Sequence, residues 1–432
     1  MKSSAGNGRR VVLIDGCRVP FLKAGSGYRD LMSCDLARMA IKGLLARTRI
    51  EPSKVDWVIL GTTIANVMTS NVARDAMLGA GLPSSVPAYT VTIACISANK
   101  AITSGADLIR TGQADAVIAG GTDSVSDLPI RYRKKLRQRM LDARKMRKIP
   151  EYLSLLRGLS PSDILPEIPS VSEFSTGRTM GEDCERLTSR LGVTRMEQDE
   201  FAVRSHRLAA KATEEGLLAA EILPVHVPPG FETIDRDNGI RGDTTIEMMQ
   251  QLKPAFEKPY GTLTAGNASF LTDGAAAVLI MAEEAARAMG LTPKAALRAY
   301  AYTAQDPEED LLLGPAYASP RALAMAGMAL SDIDVFEFHE AFAGQIIANL
   351  KCLASDTFAK EKLGRDRKVG EVPMEKFNAL GGSLSIGHPF GATGARLVTT
   401  AANRLARENG RAALVAACAG GAHGNAIILE RC

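Results

Sequence analysis

The feature that most constrains the fold is a strand-to-helix changeover in residues 90–112, TVTIACISANKAITSGADLIRTG. The stretch opens with the apolar run 91–94, which is typical of the end of a buried strand. From Ser97 onward the apolar residues fall near the three- and four-residue spacing of a helix: Ala101, Ile102, Gly105, Leu108 and Ile109. A buried strand that leads into such a helix indicates an α/β architecture.

Cys95 lies at this changeover. A cysteine sulfur at the start of a helix faces unsatisfied N–H groups and the positive end of the helix dipole, and both favour thiolate over thiol. The sequence therefore offers Cys95 as a candidate nucleophile. A lone cysteine in an apolar run is usually a packing residue, however, and position alone gives the nucleophile at best equal weight.

Strands and helices alternate through the rest of the first 126 residues. Buried strand patterns begin at Val11, Val55 and Ala114, and amphipathic helix patterns follow the first two. This order predicts an α/β domain with a largely parallel sheet. The regular order breaks from about residue 127, where an insertion resembling a cap over one sheet edge begins, and two helices are predicted within residues 180–216.

The second part of the chain repeats the pattern of the first. Strand character returns near Thr262, and ARENGRAALVAACAGGAHG near the C-terminus parallels IRTGQADAVIAGGTDS of the first part. Each of the two stretches has a helix end, a turn, a buried strand and then glycines. An internal duplication of this length suggests two similarly folded halves packed together.

Composition excludes several classes of protein. A length of 432 residues predicts about two or three domains. The formal net charge of +4 is too small to indicate a nucleic-acid-binding protein. No apolar run approaches the roughly 18 residues that a membrane span requires. The seven cysteines are scattered without a CxxC pair, which disfavours a disulfide framework and a structural zinc site and indicates a reducing compartment.

The N-terminal segment MKSSAGNGRR is basic, but no apolar region follows it. It therefore does not have the pattern of a secretory signal, and it leaves open a short or already trimmed mitochondrial presequence. We expect a cytoplasmic protein of bacterial type, with the mitochondrial matrix as the alternative.

Residues 130–148, IRYRKKLRQRMLDARKMRK, are strongly basic, with ten Lys or Arg and one acidic residue, Asp142. Leu136, Met140 and Leu141 could form a narrow apolar stripe, so the segment predicts a basic amphipathic helix. Most such charged runs are solvated faces. The excess of charge also suits a peripheral contact with an anionic membrane surface or with an acidic face of a partner subunit.

Three motifs near the C-terminus carry reactive residues. DVFEFHEAFAGQ contains His339 and Glu340 after a predicted strand, and GGSLSIGHPFGATGAR places His388 in a glycine-rich loop. VAACAGGAHG places Cys418 after an apolar strand and before Gly420. A histidine in such a loop can serve as a turn residue, but the surrounding glycines leave room for a ligand. Two cysteines and a histidine at strand ends of an α/β frame are a stronger indication of a catalytic site.

The motifs ACISANKAI, HEAFA, GHPFGATGAR and CAGGAHG resemble those of the thiolase family over nearly the whole chain. Within that family the chain is most similar to the 3-ketoacyl-CoA thiolases of the trifunctional fatty-acid oxidation complex. SNVARDAMLGAG, GTLTAGNASFLTDGAAA, LLLGPAYASP and the basic insertion also fit that branch. Many thiolases have Asn where this chain has His339, and the HEAFA variant is typical of the trifunctional branch.

The resemblance implies a role for each motif. Cys95 would be the acylated nucleophile, and Cys418 would be the acid and base that moves the proton on the acetyl-CoA methyl and on the leaving thiol. His388 would polarise the thioester oxygen and help to activate Cys95. The backbone N–H groups of Cys95 and Gly420 would form the oxyanion hole. The resemblance leaves open whether His339 holds a water molecule or donates a hydrogen bond directly.

The resemblance is weaker for the coenzyme A side. Ser269 would lie against the pantetheine, while Ala341 and Phe342 would line its tunnel. Phe342 is equally well explained as an ordinary core residue. Arginines of the insertion could meet the phosphates of coenzyme A, without any one of them being singled out.

The chemistry of the reaction agrees with these residue types. A thiolate can attack the ketone of a 3-ketoacyl-CoA and leave again, because it forms the same kind of bond as it breaks. The departing acetyl-CoA enolate is stabilised by oriented donors, and a second thiol can protonate it. Because no metal-ligand spacing occurs in the sequence, we expect neither a metal nor a cofactor, with coenzyme A acting as a substrate.

The implied fold is a five-layered αβαβα core of two duplicated halves with an inserted loop domain. The predicted boundaries are residues 1–126 and 259–290 for the N-terminal half, 127–258 for the insertion and 291–432 for the C-terminal half. The implied partners are acyl-CoA, CoA, a second copy of the chain in a dimer or tetramer, and a hydratase/dehydrogenase α-subunit.

The sequence disfavours three alternative functions. Cys418 disfavours a condensing synthase that acts on acyl-carrier protein, because that class has no cysteine there. HEAFA and the basic insertion disfavour a biosynthetic acetoacetyl-CoA thiolase. The intact set of Cys95, His388 and Cys418 disfavours a non-catalytic scaffold subunit.

Overall fold

The computed structural model describes residues 8–144, 146–148, 155, 157–169 and 172–432. Buried strands and amphipathic helices form its core. The strands are β1 Val11–Arg18, β2 Leu22–Lys23, β3 Trp57–Gly61, β4 Ala88–Val91, β5 Ala116–Asp123, β6 Arg131–Tyr132, β7 Pro166–Glu167, β8 Val225–Val227, β9 Glu232–Ile234, β10 Thr272–Ala282, β11 Ala295–Ala304, β12 Val335–Phe338, β13 Ala412–Ala419 and β14 His423–Arg431.

The α-helices connect and cover these strands. In chain order they are α1 Ser33–Thr48, α2 Val72–Gly79, α3 Ser97–Arg110, α4 Lys134–Ala143, α5 Pro161–Ile164, α6 Met180–Arg190, α7 Arg195–Glu214, α8 Ile246–Gln250, α9 Glu283–Ala288, α10 Gly314–Ala326, α11 Ala343–Leu353, α12 Asp356–Leu363, α13 Ser383–Ile386 and α14 Thr393–Arg407. In the part of the chain that the structure describes, no helix is long and apolar enough to cross a membrane.

The large sheet consists of two sections joined at a narrow contact. Its strand order is β12-β13-β14-β11-β1-β10-β5-β3-β4, with β2 beside β10. The contact between the sections is a short antiparallel pairing in which Val12 and Leu13 of β1 lie opposite Ala296 and Ala295 of β11. Each section is therefore the sheet of one half of the chain.

The two halves repeat the same strand directions. In the first half β3 and β5 are parallel, while β10 runs antiparallel to both β5 and β1. In the second half β12 and β13 are parallel, while β14 runs antiparallel to both β13 and β11. The predicted duplication is confirmed. The predicted largely parallel sheet is wrong, because β10 and β14 return antiparallel beside the parallel strands.

Alternate side chains of each strand enter different layers, as strand geometry requires. In β5, Val117 and Ala119 face the central layer, whereas Ile118 faces the outer helices α1 and α2. In β13, Val415 faces the same central layer and Leu414 faces α10 and α11 on the other side. Helices α3 and α14 fill the central layer between the two sheet sections. The five-layered αβαβα core is confirmed.

The two central helices begin close to each other. A Cβ atom at Gly394 of α14 would lie 1.9 Å from the Asn99 Oδ1 atom of α3, so only glycine allows this approach. Gly121 at the end of β5 has a similar role, because a Cβ atom there would lie 1.9 Å from the Gly391 carbonyl oxygen. The fold therefore brings the segment before α3 and the segment before α14 to the same edge of the core.

The inserted segment contains the two helices predicted for residues 180–216, α6 and α7. Each begins with a capping box, formed by Thr179 with Glu182 and by Thr194 with Glu197. Helix α7 packs against α11 and α13, so this part of the insertion covers the C-terminal half. The boundaries given above for the insertion and the two halves stay predictions.

Two expectations about the extent of elements are corrected. The basic helix spans Lys134–Ala143, and the following residues Arg144 and Met146–Lys148 are not helical, whereas Lys145 lies outside the described residues. The strand expected near Thr262 begins at Thr272, because residues 262–271 form a loop whose hydrogen bonds go to side chains and to other segments.

Candidate active site

Cys95 lies in the tight turn between β4 and α3, at the junction that the sequence predicts. Ala94, which precedes it, has a φ of 45°, a left-handed conformation that is strained for a residue with a side chain. The Ala94 carbonyl accepts hydrogen bonds from Ser97 Oγ at 2.7 Å and from Thr63 Oγ1 at 3.2 Å. These contacts hold the turn in its strained shape and fix the position of the Cys95 side chain.

The surroundings of the Cys95 sulfur favour the neutral thiol in the unliganded protein. Burial raises the pKa of the thiol to about 12, although hydrogen bonds from the backbone amides of Gly420 and of Cys95 itself act in the opposite direction. The carboxylates of Asp123 and Glu173 raise this pKa further. The thiolate expected from the helix start is therefore not the resting form, because desolvation outweighs the amide hydrogen bonds. Such a thiol needs a base to become a nucleophile.

His388 and His339 converge on Cys95 from the other half of the chain. The sulfur and one ring nitrogen of each histidine lie within 4.8 Å of one another. The two imidazole rings face each other, with centroids 3.9 Å apart and planes inclined by 38°. His339 directly follows β12, and His388 lies in the loop between α13 and α14. The structure thus brings together three residues that are far apart in the sequence.

Each histidine uses one ring nitrogen to anchor itself. His339 Nδ1 lies 2.9 Å from Ser383 Oγ, and His388 Nδ1 lies 2.6 Å from Thr393 Oγ1. Both Nε2 atoms are buried and have no hydrogen-bond partner among the described residues. The Nε2 atoms are therefore the nitrogens available to Cys95 or to a substrate.

Burial makes both histidines neutral. It lowers the pKa of His388 to about 3, with a smaller contribution from the positive charge of Arg396. Burial also lowers the pKa of His339 well below its ordinary value, and His388 and Arg396 add to that effect. A neutral imidazole can act as a base through one nitrogen and as a hydrogen-bond donor through the other.

Cys418 lies at the end of β13, opposite Gly424 of β14. It is buried, and burial raises the pKa of its thiol, as does the proximity of Cys95. The turn that follows contains Gly420, whose backbone amide lowers the pKa of the Cys95 thiol. A second protonated thiol and a backbone donor are thus placed beside the candidate nucleophile.

The residues predicted for the coenzyme A side come together in a neighbouring place. The Ser269 N–H donates to the Ala341 carbonyl at 2.9 Å, and Ala268 pairs with Phe342. Ser269 and Ala341 are partly exposed, whereas Phe342 is buried and packs edge-on against Phe256 with ring centroids 6.2 Å apart. Ser269 and Ala341 are thus accessible to a ligand, and their contact with coenzyme A stays a prediction.

The sequence has no metal-ligand spacing, but the fold assembles donors that could hold a metal. Cys95, His339 and His388 offer one sulfur and two imidazole nitrogens, a set that suits a soft divalent ion such as Zn²⁺. The expectation of a reaction without a metal stays a prediction.

Three carboxylates surround the site, of which sequence reasoning missed Asp123 and Glu173 and gave Glu340 no role. Asp123 is buried and accepts hydrogen bonds from the backbone N–H groups of Ile64 at 2.8 Å and Gly391 at 2.5 Å, which joins the loops of the two halves. Glu340, named only as part of its motif, accepts from Asn378 Nδ2 at 2.7 Å and from Ser205 Oγ at 2.8 Å. It thereby ties α7 of the insertion to the segment that follows His339.

Glu173 is the third of these carboxylates, and it comes from the insertion. Its Oε1 atom accepts a hydrogen bond of 2.7 Å from the Gly421 N–H, beside the turn that contains Gly420. Two of the three have a sequence signal: Asp123 follows Thr122 and the glycines of a buried strand in GGTDS, and Glu340 follows His339 in HEAFA. The hydrogen-bond partners of Glu173 and Glu340 are too distant in the sequence to be inferred from a pattern.

Comparison with known proteins places this site in a family. Models of the thiolase N-terminal domain and of the thiolase C-terminal domain match residues 11–284 and 291–431. The chain is 56% identical over 424 residues to the human mitochondrial trifunctional enzyme subunit beta, which covers 98% of this chain and 89% of the human protein. It is 45% identical over 423 residues to the 3-ketoacyl-CoA thiolase of Pectobacterium atrosepticum, covering 98% of this chain and 97% of that protein.

A solved structure agrees with these sequence relatives. The crystal structure of human mitochondrial 3-ketoacyl-CoA thiolase in complex with CoA superimposes with a TM-score of 0.84 at 30% identity, and the match covers 98% of each chain. The matched family models together span almost the whole chain, including every residue of the site. This chain belongs to the thiolase family.

Proposed function

We propose that the chain is a 3-ketoacyl-CoA thiolase of fatty-acid β-oxidation, an acetyl-CoA C-acyltransferase. It cleaves a 3-ketoacyl-CoA with CoA to give acetyl-CoA and an acyl-CoA shorter by two carbons. The observation that carries this proposal is the convergence of the Cys95 sulfur with His339 and His388 within 4.8 Å, beside the thiol of Cys418. This set supplies a nucleophile, a base, a hydrogen-bond donor and a second proton carrier.

In the first half-reaction, His388 takes the proton of Cys95 and the resulting thiolate attacks the 3-keto carbon. The bond between C2 and C3 then breaks, the acyl group stays on Cys95, and acetyl-CoA leaves as an enolate. Cys418 gives its proton to the enolate carbon and becomes a thiolate. The raised pKa of the Cys95 thiol explains why this step needs a base within reach.

In the second half-reaction, the Cys418 thiolate takes the proton of an incoming CoA thiol. The CoA thiolate attacks the acyl-Cys95 thioester, and Cys95 leaves and recovers its proton from His388. The backbone N–H groups of Cys95 and Gly420 stabilise the oxyanion that forms on the acyl group. His339 donates to the thioester oxygen of the 3-ketoacyl-CoA, which carries the enolate charge in the first half-reaction. Each residue ends the cycle in its starting protonation state.

A stoichiometric thiolysis assay tests this function. The purified protein is mixed with a 3-ketoacyl-CoA and CoA, and the products are separated by liquid chromatography with mass detection. We expect one acetyl-CoA and one shortened acyl-CoA for each substrate consumed, and loss of both in Cys95→Ser. The matched control is Cys432→Ser, since Cys432 is an exposed cysteine near the C-terminus. Absence of products with the wild-type protein over a series of acyl chain lengths would contradict the proposal.

We also propose that the chain assembles with a second copy of itself and with a hydratase/dehydrogenase α-subunit. The printed name of the human relative, trifunctional enzyme subunit beta, supports a multisubunit assembly. Strand β4, which leads into the Cys95 turn, lies at the end of the described sheet with β3 as its neighbour. Val67 and Met68 on a nearby loop are 86% and 79% exposed, which favours a contact between copies on this side.

The basic segment supports a further contact of the same assembly. Helix α4 carries Met140 and Leu141 with 48% and 58% of their surface exposed, on a helix rich in Lys and Arg. Two basic residues of the segment are already paired, Arg131 before the helix with Glu167 and Lys135 within it with Asp163. We propose that Arg133, Lys134 and Arg137, together with the exposed apolar residues, meet an anionic membrane surface or an acidic face of the α-subunit.

For the location we propose the bacterial cytoplasm, with the mitochondrial matrix as the alternative. The relatives named above include both a bacterial and a mitochondrial protein.

A further inference from the structure

A chain of buried hydrogen bonds runs from Arg396 through Ser383 to His339. Arg396 Nη2 donates to Ser383 Oγ at 3.0 Å, and Ser383 Oγ lies 2.9 Å from His339 Nδ1. All three side chains are fully buried. The mechanism proposed above uses His339 but assigns no role to Ser383 or Arg396.

The chemistry of the donors fixes the direction of this chain. A guanidinium has only donors, so the Ser383 oxygen must accept from Arg396. Among the described residues, Ser383 Oγ has two hydrogen-bond partners, Arg396 Nη2 and His339 Nδ1. The single hydroxyl hydrogen of Ser383 therefore points at His339 Nδ1, because that atom is the one acceptor of the two. Nδ1 is then unprotonated, and the proton of the neutral ring is on Nε2.

The neighbouring His388 has the opposite arrangement. Thr393 Oγ1 donates its hydrogen to the Pro389 carbonyl at 3.2 Å and lies 2.6 Å from His388 Nδ1. Since its hydrogen is already used, the hydroxyl accepts from His388 Nδ1–H. The Nε2 atom of His388 then carries a lone pair. Two imidazoles whose centroids are 3.9 Å apart thus present a donor and an acceptor to the same space.

We propose that Ser383 and Arg396 are positioning residues that hold His339 in the tautomer with a proton on Nε2, while Thr393 holds His388 in the opposite tautomer. This inference rests on the proposed function and assigns different roles to the two histidines. His388 Nε2 can accept the Cys95 proton, and His339 Nε2–H can donate to the substrate oxygen. Neither histidine can replace the other without rearranging its hydroxyl partner.

The position of Arg396 explains why this series of hydrogen bonds keeps its direction. Its nearest carboxylate atom is Glu337 Oε2 at 3.9 Å, and its Nε and Nη1 atoms have no hydrogen-bond partner among the described residues. The guanidinium charge is therefore compensated only loosely and acts on Ser383 and His339. A positive charge at this place disfavours a hydrogen on Nδ1 that would point toward it, and it opposes a second proton on the ring.

Nuclear magnetic resonance of the ¹⁵N-histidine-labelled protein tests the inference directly, because the chain has only five histidines. The ¹⁵N chemical shift separates a protonated ring nitrogen from an unprotonated one. His339→Asn and His388→Asn identify the two sets of signals. In the wild type we expect His339 to be protonated at Nε2 and His388 at Nδ1. The reverse tautomer at His339 would overturn the proposal, whatever the activity.

Ser383→Ala and Ser383→Thr test the functional consequence. Loss of the hydroxyl should move His339 toward the other tautomer and lower kcat by at least about tenfold, with an upper bound near the 10⁴-fold that a wrong histidine tautomer costs in acyl transfer. The KM for CoA should stay within about twofold, since Ser383 is fully buried behind His339. Ser383→Thr retains the hydroxyl and should restore both the tautomer and most of the turnover.

Ser385→Ala is the matched control, because it removes another buried serine hydroxyl from the same short helix, where its partners are Ser205 and the Gly382 carbonyl. It should leave the His339 tautomer unchanged. Equal kcat values and equal His339 signals in Ser383→Ala and Ser385→Ala would overturn the proposal. If the wild type has the expected tautomers but no thiolysis activity, the proposed function fails and the positioning of the histidines still stands.

Discussion

The turn that carries Cys95 and the loop that carries His388 occupy equivalent places in the two halves, since each precedes a helix of the central layer. Helix α3 begins at Ser97, two residues after Cys95, and α14 begins at Thr393, five residues after His388. Strands β1, β10, β5 and β3 of the first half have the same order and directions as β11, β14, β13 and β12 of the second. The chemistry of the turn and of the loop differs, because the turn carries a thiol and the loop carries an imidazole.

This difference shows how a duplicated frame can build a site with complementary parts. In the proposed mechanism the N-terminal half supplies the Cys95 sulfur that reacts and one backbone donor, the Cys95 N–H. The C-terminal half supplies the side chains that move protons, His388 and Cys418, and the further donors His339 and Gly420. Asp123 accepts hydrogen bonds from loops of both halves and so fixes their distance. Changes in the N-terminal half should therefore abolish the covalent step, and changes in the C-terminal half should affect proton transfer and charge stabilisation.

The largest effect expected in the C-terminal half comes from Cys418→Ser. A serine hydroxyl is a far weaker acid than a thiol, so thiolysis and exchange of the acetyl-CoA methyl protons should fall by about 10²- to 10⁴-fold. Acylation of Cys95 by acyl-CoA should persist, because His388 activates the Cys95 sulfur and the CoA thiolate can leave without a proton from Cys418. Proton exchange is measured by mass spectrometry in deuterated water, and exchange at the wild-type rate would remove Cys418 from the proton step.

His339→Ala should have the next largest effect. We expect a loss of about 2–4 kcal/mol of transition-state stabilisation in kcat/KM, the value for one oxyanion-hole donor. His339→Asn retains a donor and restores the residue found in many thiolases, so its loss should be smaller. Steady-state kinetics of both variants measure the two losses. Kinetics of His339→Ala that match the wild type would exclude His339 from catalysis.

The resting thiol of Cys95 predicts a particular pH dependence of alkylation. With a pKa of about 12, the thiolate fraction of the unliganded protein rises with pH throughout the range from 7 to 9. The rate of Cys95 alkylation by iodoacetamide should therefore increase by about tenfold for each pH unit, because only the thiolate reacts. Cys95→Ser provides the background rate. A plateau at neutral pH would indicate a thiolate–imidazolium pair and contradict the neutral resting site.

The smallest effect on turnover is expected from the basic helix, which lies outside both halves of the site. Reversing the charges of Arg133, Lys134 and Arg137 should weaken sedimentation with anionic liposomes or binding of the α-subunit, at about 1 kcal/mol for each residue near an anionic surface. Thiolysis should change little. A raised KM for CoA with lost turnover would instead assign the helix to the active site.

A matched control reverses three exposed basic residues elsewhere on the chain, Lys211, Arg236 and Arg287, which are 70%, 74% and 73% exposed. It changes the net charge by the same amount. If both triple variants associate as well as the wild type, helix α4 is an ordinary solvated helix.

The sequence predicts most of the architecture because the strands and helices of the core have strong periodic patterns. It does not predict the directions of β10 and β14. The step from β13 to β14 is a tight turn at residues 420–422, where Gly421 and Ala422 have φ values of 78° and 55°. The glycines of this turn permit a reversal of the chain as well as room for a ligand, and the sequence alone does not distinguish the two uses.

The candidate site residues are recognisable from their motifs, but the electrostatics of the site are not. The helix start suggests a Cys95 thiolate, whereas burial makes the thiol the stable form. The groups that shift the pKa of this thiol include Gly420 and Glu173, which lie far from Cys95 in the chain. The contacts of Asp123 with Gly391 and of Ser383 with Arg396 likewise depend on the packed fold, so no local pattern indicates them.

Acyl-enzyme mapping is the most direct test of the division between the halves. The protein is incubated with an acyl-CoA without free CoA, quenched, digested and analysed by mass spectrometry. We predict a single acyl adduct on Cys95, formed slowly in His388→Ala and absent in Cys95→Ser, whereas Cys432→Ser should match the wild type. Two results would contradict a nucleophile in one half that is activated by a base from the other. One is a stable adduct on Cys418 or on another residue, and the other is an adduct that forms as fast in His388→Ala as in the wild type.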